Sequence, residues 1–134
     1  MTTPIRKPRI LIVEDDEFSQ EFIRSALDTL ADVTVSNSGE QALQKLSDGS
    51  PLPDLVVVDI VMYAMNGIEI TRYIRQDLNE HKIPAFVLSS HTDQEMEQIA
   101  YSAGATVVCK KGLSAKALSQ RIRGILDISF NPST

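Results

Sequence analysis

The stretch Leu55-Val56-Val57-Val58-Asp59 places an acidic residue directly after four apolar ones. A second apolar stretch, Ile10-Leu11-Ile12-Val13, runs into Glu14-Asp15-Asp16. Continuous apolar runs of this length are typical of strands buried on both faces of a parallel sheet. If the two strands are neighbours, their carboxylates meet at the carboxyl edge of the sheet, where open α/β sheets place their sites. Clustered carboxylates repel one another, so this edge predicts a site for a divalent cation.

The rest of the chain alternates between strand-like and helix-like segments. Helices with apolar residues at three- and four-residue spacing separate five apolar strands, which predicts a parallel sheet covered on both faces. Right-handed crossovers and the chain length favour an α/β, doubly wound (flavodoxin-like) five-stranded parallel sheet in the order 2-1-3-4-5, with five helices on two faces. The predicted strands are Arg9–Val13, Asp32–Val35, Leu55–Val58, Ala85–Ser89 and Thr106–Lys110.

Polar residues mark where the predicted helices begin. Ser38, Asp93 and Ser114 are expected to cap helices, and Gly67 is expected to open the third one. The first helix is predicted over Phe18–Leu30. Its predicted inward stripe consists of Phe18, Phe22, Ala26, Leu27 and Leu30.

Composition limits the kind of protein. The 134 residues fit a single domain, expected over residues 9–128 with tails at 1–8 and 129–134. A net charge of −5 argues against direct nucleic-acid binding, and no apolar stretch approaches the ~20 residues that cross a bilayer. The single cysteine, Cys109, excludes an internal disulfide and is expected to pack in the core. These features predict a soluble cytoplasmic domain.

Four motifs follow one another at the predicted strand ends: Glu14-Asp15, Asp59, Ser89 and Lys111. In this order and spacing they resemble the receiver (phosphoacceptor) domain of bacterial response regulators in two-component signalling, over nearly the whole chain. Register against the pair Gly104-Ala105 selects Lys111 over Lys110 as the family lysine. Asn66-Gly67 resembles the Asp-Gly pair that follows the phosphorylation loop in that family.

The resemblance implies a phosphorylation site. Asp59 would be the nucleophile that takes a phosphoryl group from a histidine kinase or histidine phosphotransfer protein. Lys111 would bind a phosphoryl oxygen and balance charge, and Ser89 would bind another and move when phosphate arrives. The expected protein is a signalling phosphoacceptor rather than an enzyme acting on a separate substrate.

The resemblance also implies a Mg²⁺ ion, which prefers oxygen ligands and keeps several waters. Asp15 and Asp59 would supply carboxylate oxygens directly, and Glu14 would act through water. The backbone carbonyl of Val61 would complete the protein ligands.

Several positions depart from the family pattern. Gly112 follows the lysine where the family usually has Pro, and Tyr63 stands where Pro is common. Val108 replaces the usual aromatic residue of the fifth strand, so the output face of the fourth helix, fifth strand and fifth helix is not expected to report phosphate by swinging a ring there. Val61 and His91 flank the approach of water and are expected to tune the lifetime of the acyl phosphate.

Other functions fit the residues less well. The main alternative is a phosphorylation-independent interaction domain (a pseudo-receiver) on the same fold, which the missing aromatic leaves open. A haloacid-dehalogenase-type phosphatase would have a second Asp at position 61, where Val61 stands. A flavin carrier would have a Thr/Ser/Gly-rich loop after the first strand, where acidic residues occur instead.

Overall fold

The computed structural model describes residues 6–60, 66–90 and 94–129, leaving the side chains of residues 66, 128 and 129 aside. Five parallel strands in these ranges form one sheet in the order β2-β1-β3-β4-β5, which confirms the predicted doubly wound topology. The strands are β1 Arg9–Val13, β2 Asp32–Ser36, β3 Leu55–Ile60, β4 Ala85–Ser89 and β5 Val107–Lys110. The helices are α1 Glu17–Leu27, α2 Gly39–Ser47, α3 Asn66–Arg72, α4 Gln94–Ala103 and α5 Ala115–Ser129, and α3 continues as a π-helical turn, Tyr73–Asp77.

The register of the central strands decides what lies at the carboxyl edge. β1 pairs with β3 from Ile10↔Leu55 to Val13↔Val58, so Glu14 and Asp59 follow paired residues on neighbouring strands. β3 extends two residues beyond its predicted end because Asp59 and Ile60 still pair with β4. Asp59 is therefore held inside a six-residue strand that is buried throughout.

Each face of the sheet carries its own apolar layer, since alternate residues of the buried strands point to opposite sides. Val56 and Val58 pack with buried residues of α2, α3 and α4. Leu55 and Val57 pack with buried residues of α1 and α5 on the other face, together with Cys109. None of the helices in the described ranges is long and apolar enough to cross a membrane.

Side-chain caps begin three helices. Ser38 accepts the amide hydrogen of Gln41 at 3.1 Å, and Ser114 Oγ accepts that of Ala117 at 3.1 Å, as expected from the sequence. Asp16 caps α1 by accepting from Ser19, and these hydrogen bonds lower the Asp16 pKa. The expected cap Asp93 lies outside the described residues.

The predicted inward stripe of α1 is wrong at its two aromatic residues. Ile23 and Leu27 are the buried residues of this helix, whereas Phe18 is 82% exposed and Phe22 is 40% exposed. The pairs Phe18–Phe22 and Ile23–Leu27 both have four-residue spacing. Neighbouring residues such as Phe22 and Ile23, however, point about 100° apart around the helix. The helix also ends at Leu27 instead of the predicted Leu30. After Leu27 the chain makes a tighter turn, in which the amide of Leu30 donates to the backbone oxygen of Leu27.

The close approach of α3 to β3 depends on Gly67. A Cβ atom there would lie 2.8 Å from the backbone oxygen of Asp59, so we expect Gly67→Ala to lower the free energy of unfolding by about 1–3 kcal/mol. Gly124, exposed on α5, has nothing within 4 Å of its Cβ position. Gly124→Ala is therefore the matched control and should stabilise the helix by about 0.5–1 kcal/mol. Urea denaturation of both variants checks this, and equal midpoints for Gly67→Ala and the unmodified protein would contradict it.

Candidate phosphorylation and metal site

Three carboxyl groups meet at the carboxyl edge of the sheet. Ligand oxygens of Glu14, Asp15 and Asp59 all lie within 4.8 Å of one another. Glu14 is 2% exposed and Asp59 is 9% exposed, whereas Asp15 is open to solvent. Adjacent strands carry two buried acidic groups into contact, with one face of the cluster accessible.

Lys111 supplies a positive charge to this cluster. Its Nζ lies 3.0 Å from Asp59 Oδ1 and 3.1 Å from Glu14 Oε1. Burial of the Lys111 ammonium opposes its charge, but its hydrogen bond to Glu14 and its attraction to both acids outweigh this and raise the pKa of Lys111. Lys110, by contrast, is exposed. Among the described residues, the cation that contacts the three-carboxyl cluster is Lys111, so these groups together stay electronegative when all three acids are ionised.

The pKa of Glu14 is raised well above its ordinary value. Burial, followed by the negative charge of Asp59, raises the pKa of Glu14 to about 7. The hydrogen bonds from Lys111 and from the Asp16 amide act in the opposite direction. Near neutral pH, the buried pair of acids therefore holds a proton that a bound divalent cation would displace.

Gln20, which was not among the predicted site residues, positions Glu14. Its Nε2 donates to the backbone oxygen of Glu14 at 2.6 Å and to Asn37 Oδ1 at 3.0 Å. The amide hydrogen of Glu14 is bonded to Ser36 O at 3.0 Å. The turn after β1 is thus held from both α1 and the end of β2. The sequence offered one sign of this role, a polar residue one turn into the first helix.

Ser89 ends β4 at the same edge of the sheet. It is 2% exposed and lies in register with Ile60 of β3 and Lys110 of β5. Its backbone oxygen accepts the amide hydrogen of Lys111 at 2.8 Å. The fold thus brings Ser89 and Lys111 together beside the strand that carries Asp59.

The other positions singled out in the sequence lie partly outside the described residues. Val61, Tyr63 and His91 lie outside the described residues. Val108 is half-buried on β5. Gly112 has φ +115°, in a region that the proline ring excludes, so the turn after Lys111 is built with glycine.

The donor set fits a small hard cation. All three candidate side-chain ligands are carboxyl groups, the kind of oxygen donor that Mg²⁺ takes alongside retained waters. Asp59 Oδ1 has its ionic contact with Lys111 but no well-directed hydrogen bond from the described residues. A buried carboxylate oxygen that can still accept a further ligand is suited to binding a metal ion.

Comparison with known proteins points in the same direction. The family model for the response regulator receiver domain matches residues 10–123. The sensor histidine kinase TmoS of Ectopseudomonas mendocina is 31% identical over 92% of this chain and 12% of TmoS. The response regulator protein VraR of Staphylococcus aureus is 30% identical over 86% of this chain and 54% of VraR. The chain thus spans about half the length of one relative and about an eighth of the other.

Solved structures share the fold. A CheY-like response regulator receiver domain protein from Methanospirillum hungatei superimposes with a TM-score of 0.83 at 20% identity, covering 96% of this chain and 100% of that one. The phosphorylated cyanobacterial phytochrome response regulator RcpA gives a TM-score of 0.77 at 23% identity, covering 96% and 98%.

The raised pKa of Glu14 predicts a pH-dependent stability in metal-free buffer. Between about pH 4.5 and 7 the folded protein keeps a proton at Glu14 that the unfolded chain has released. The free energy of unfolding should therefore fall as pH rises through this window, by up to about 1.4 kcal/mol per pH unit. Urea denaturation across the window, with a chelator present, measures the slope.

The variant Glu14→Gln should remove this contribution to the slope, because its amide does not titrate. Glu17→Gln is the matched control, since Glu17 is an exposed acid of α1. Parallel pH profiles for the unmodified protein and Glu14→Gln would show that Glu14 is not the group responsible.

Proposed function

The chain belongs to the response regulator receiver domain family, and from this premise we propose that it accepts a phosphoryl group on Asp59 and changes its partner binding as a result. The donor would be a histidine kinase or a histidine phosphotransfer protein, the partners with which receiver domains interact. The contact that carries this proposal is the 3.0 Å approach of Lys111 Nζ to the buried Asp59 carboxylate. Receiver domains are signalling phosphoacceptors rather than enzymes with a separate substrate.

Asp59 acts as the nucleophile in this proposal. One carboxylate oxygen attacks phosphorus of a phosphohistidine, a P–O bond forms, the P–N bond breaks, and its electron pair stays on the donor imidazole. Phosphoryl transfer depends mainly on positioning and on neutralising the charge of the transferred oxygens. Lys111 supplies the positive charge from the chain itself, and burial in β3 fixes the position of Asp59. Hydrolysis of the acyl phosphate by water would return the domain to its starting state.

Asp15 and Asp59 would hold a Mg²⁺ ion directly, with Glu14 acting through a water molecule. By family resemblance the carbonyl of Val61, outside the described residues, would be a further ligand. When bound, Mg²⁺ neutralises negative charge on the phosphoryl oxygens. The exposed Asp15 gives this ion a path from solvent to the buried acids.

Ser89 would couple phosphorylation to the rest of the domain. Its hydroxyl belongs to the buried end of β4, and its backbone oxygen is bonded to the amide of Lys111. A hydroxyl that moves toward a phosphoryl oxygen would therefore shift the ends of both β4 and β5. This local electrostatic event would bias the output face.

The exposed aromatic residues of α1 suit the docking of the phosphodonor protein. Phe18 and Phe22 line an apolar groove of about 320 Å³, and Lys111 and Gly112 line the same groove. A donor that reaches Asp59 past Lys111 would cover this surface. Exposed aromatic side chains next to a reactive group are typical anchors of protein interfaces.

A phosphorylation-independent interaction domain is not favoured. That function would not require Asp59, Glu14 and Lys111 to form a buried ionic cluster. Burying two acids against a single lysine costs free energy, so this arrangement supports a role in binding phosphate and metal.

Replacing the acceptor tests the phosphorylation directly. Asp59→Asn should abolish labelling by acetyl phosphate, because the amide is not a comparable nucleophile. Labelling of the unmodified chain should require Mg²⁺ and stop when a chelator is added. Asp48→Asn is the matched control, because Asp48 is an exposed acid near Arg9 at the start of β1, the opposite end of that strand from the site. Intact-mass spectrometry measures the product, and labelling of Asp59→Asn at the normal rate would place the acceptor elsewhere.

Truncating the groove tests the docking surface separately. Phe18→Ala should slow phosphoryl transfer from the histidine kinase or phosphotransfer protein about five- to tenfold, as expected when an interface anchor is lost. Labelling by acetyl phosphate, which needs no docking surface, should keep its rate and serves as the internal control. Equal slowing with both donors would contradict a docking role and indicate damage to the site.

A further inference from the structure

A side chain of α4 covers the free edge of the sheet at β5. The hydroxyl of Tyr101 accepts the amide hydrogen of Val108 at 3.3 Å. The amide of Lys111 points toward β4, where it donates to Ser89 O, so alternation along the strand turns the amide of Val108 outward. Outward amides of edge strands are otherwise open to solvent or to another chain. The Tyr101 hydroxyl satisfies this one.

This hydrogen bond matters because α4 buries no large side chain completely. Met96 and Ile99 of α4 pack against the core but are only partly buried. Its fully buried residues are the small side chains Ala100 and Ala103. On the opposite face, α5 buries Leu118, Ile122 and Leu126. Elements with few buried apolar contacts open and shift at low cost. The polar contact of Tyr101 with Val108 therefore adds to this partial apolar packing in fixing α4 against β5.

The contact also lies close to the residues of the proposed phosphorylation site. Val108 is in register with Val87, two residues before Ser89 on β4. Three residues after Val108, the amide of Lys111 donates to Ser89 O at 2.8 Å. A shift at the end of β4 would reach the Tyr101 contact through this short stretch of β5. At 3.3 Å the contact is already longer than the usual range for such bonds.

We propose that the Tyr101–Val108 hydrogen bond is a latch that holds α4 against β5 in the unphosphorylated protein and is released when phosphate binds at Asp59. Tyr101 then supplies from α4 the aromatic group that β5 lacks at Val108. Release frees the ring, already 49% exposed, and the Val108 amide on the same surface for a partner. The inference rests on the proposed function and assigns its output to one contact.

Thermodynamic linkage predicts the direction in which loss of the latch changes the affinity for phosphate. If phosphate favours the released state, then removing the latch must favour phosphate by the same factor. A typical net hydrogen-bond contribution corresponds to about a fivefold change in an equilibrium constant. Tyr101→Phe, which removes the hydroxyl alone, should therefore tighten binding of a phosphate mimic up to about fivefold. A static edge cap would leave that affinity unchanged.

The test titrates beryllofluoride, in the presence of Mg²⁺, into the whole chain and into two variants, followed by NMR. Tyr101→Phe should bind more tightly than the unmodified chain and should exchange its Val108 amide hydrogen about fivefold faster without the mimic. Tyr73→Phe is the matched control, since it removes a phenol for which the described residues provide no hydrogen bond. It should leave both quantities unchanged. In the unmodified chain, beryllofluoride should accelerate exchange at Val108.

Separate outcomes overturn the two proposals. Failure of beryllofluoride to bind the unmodified chain overturns the proposed function, and with it the release of the latch. Normal binding with equal affinities for Tyr101→Phe and the unmodified chain overturns the latch alone. Unchanged protection of Val108 when the mimic is bound does the same, because the hydrogen bond then persists in the activated state.

Discussion

The structure depends on one electrostatic constraint, the contact of two buried acids at the ends of β1 and β3. Glu14 and Asp59 can share this edge because Lys111 reaches both and because burial lets Glu14 keep a proton near neutral pH. Surrounding features preserve this arrangement. Gly67 lets α3 approach the backbone of Asp59, and Gln20 secures the turn that carries Glu14. The fold thus keeps two groups together that would separate in water, which makes the edge responsive to any added charge.

Much of this arrangement was predictable from the sequence. Unbroken apolar runs ending in acids predict buried parallel strands, and parallel strands bring their carboxyl ends to one edge, so the meeting of Glu14, Asp15 and Asp59 follows from strand order. The orientation of α1 did not follow. Phe18–Phe22 and Ile23–Leu27 are both apolar pairs at four-residue spacing, and packing on the sheet selects the second. The Tyr101 contact was also hidden, because it joins an exposed helix position to a backbone amide and leaves no apolar pattern.

The misassigned face of α1 has a functional consequence. An aromatic pair that does not enter the core remains on the surface, beside the lysine that contacts Asp59. The same helix thereby stabilises the fold through Ile23 and Leu27 and, in the proposed function, would present Phe18 and Phe22 to a donor. Two adjacent stripes on one helix divide these tasks, so substitutions at the aromatic positions can change docking without opening the core.

The two helical layers differ in how firmly they are anchored, and this limits where a signal can leave the site. On one face, α5 buries large branched side chains, and moving it would expose them to water at a cost of about 1.5–3 kcal/mol for each. On the other face, α4 fully buries two alanines and packs Met96 and Ile99 only partly against the core, so its displacement costs less hydrophobic free energy. The proposed phosphoryl group at Asp59 would offer a limited amount of binding energy to drive a rearrangement. Under the proposed mechanism that energy would move the less firmly packed helix first, and the hydrogen bond from Tyr101 to Val108 would contribute to setting the equilibrium.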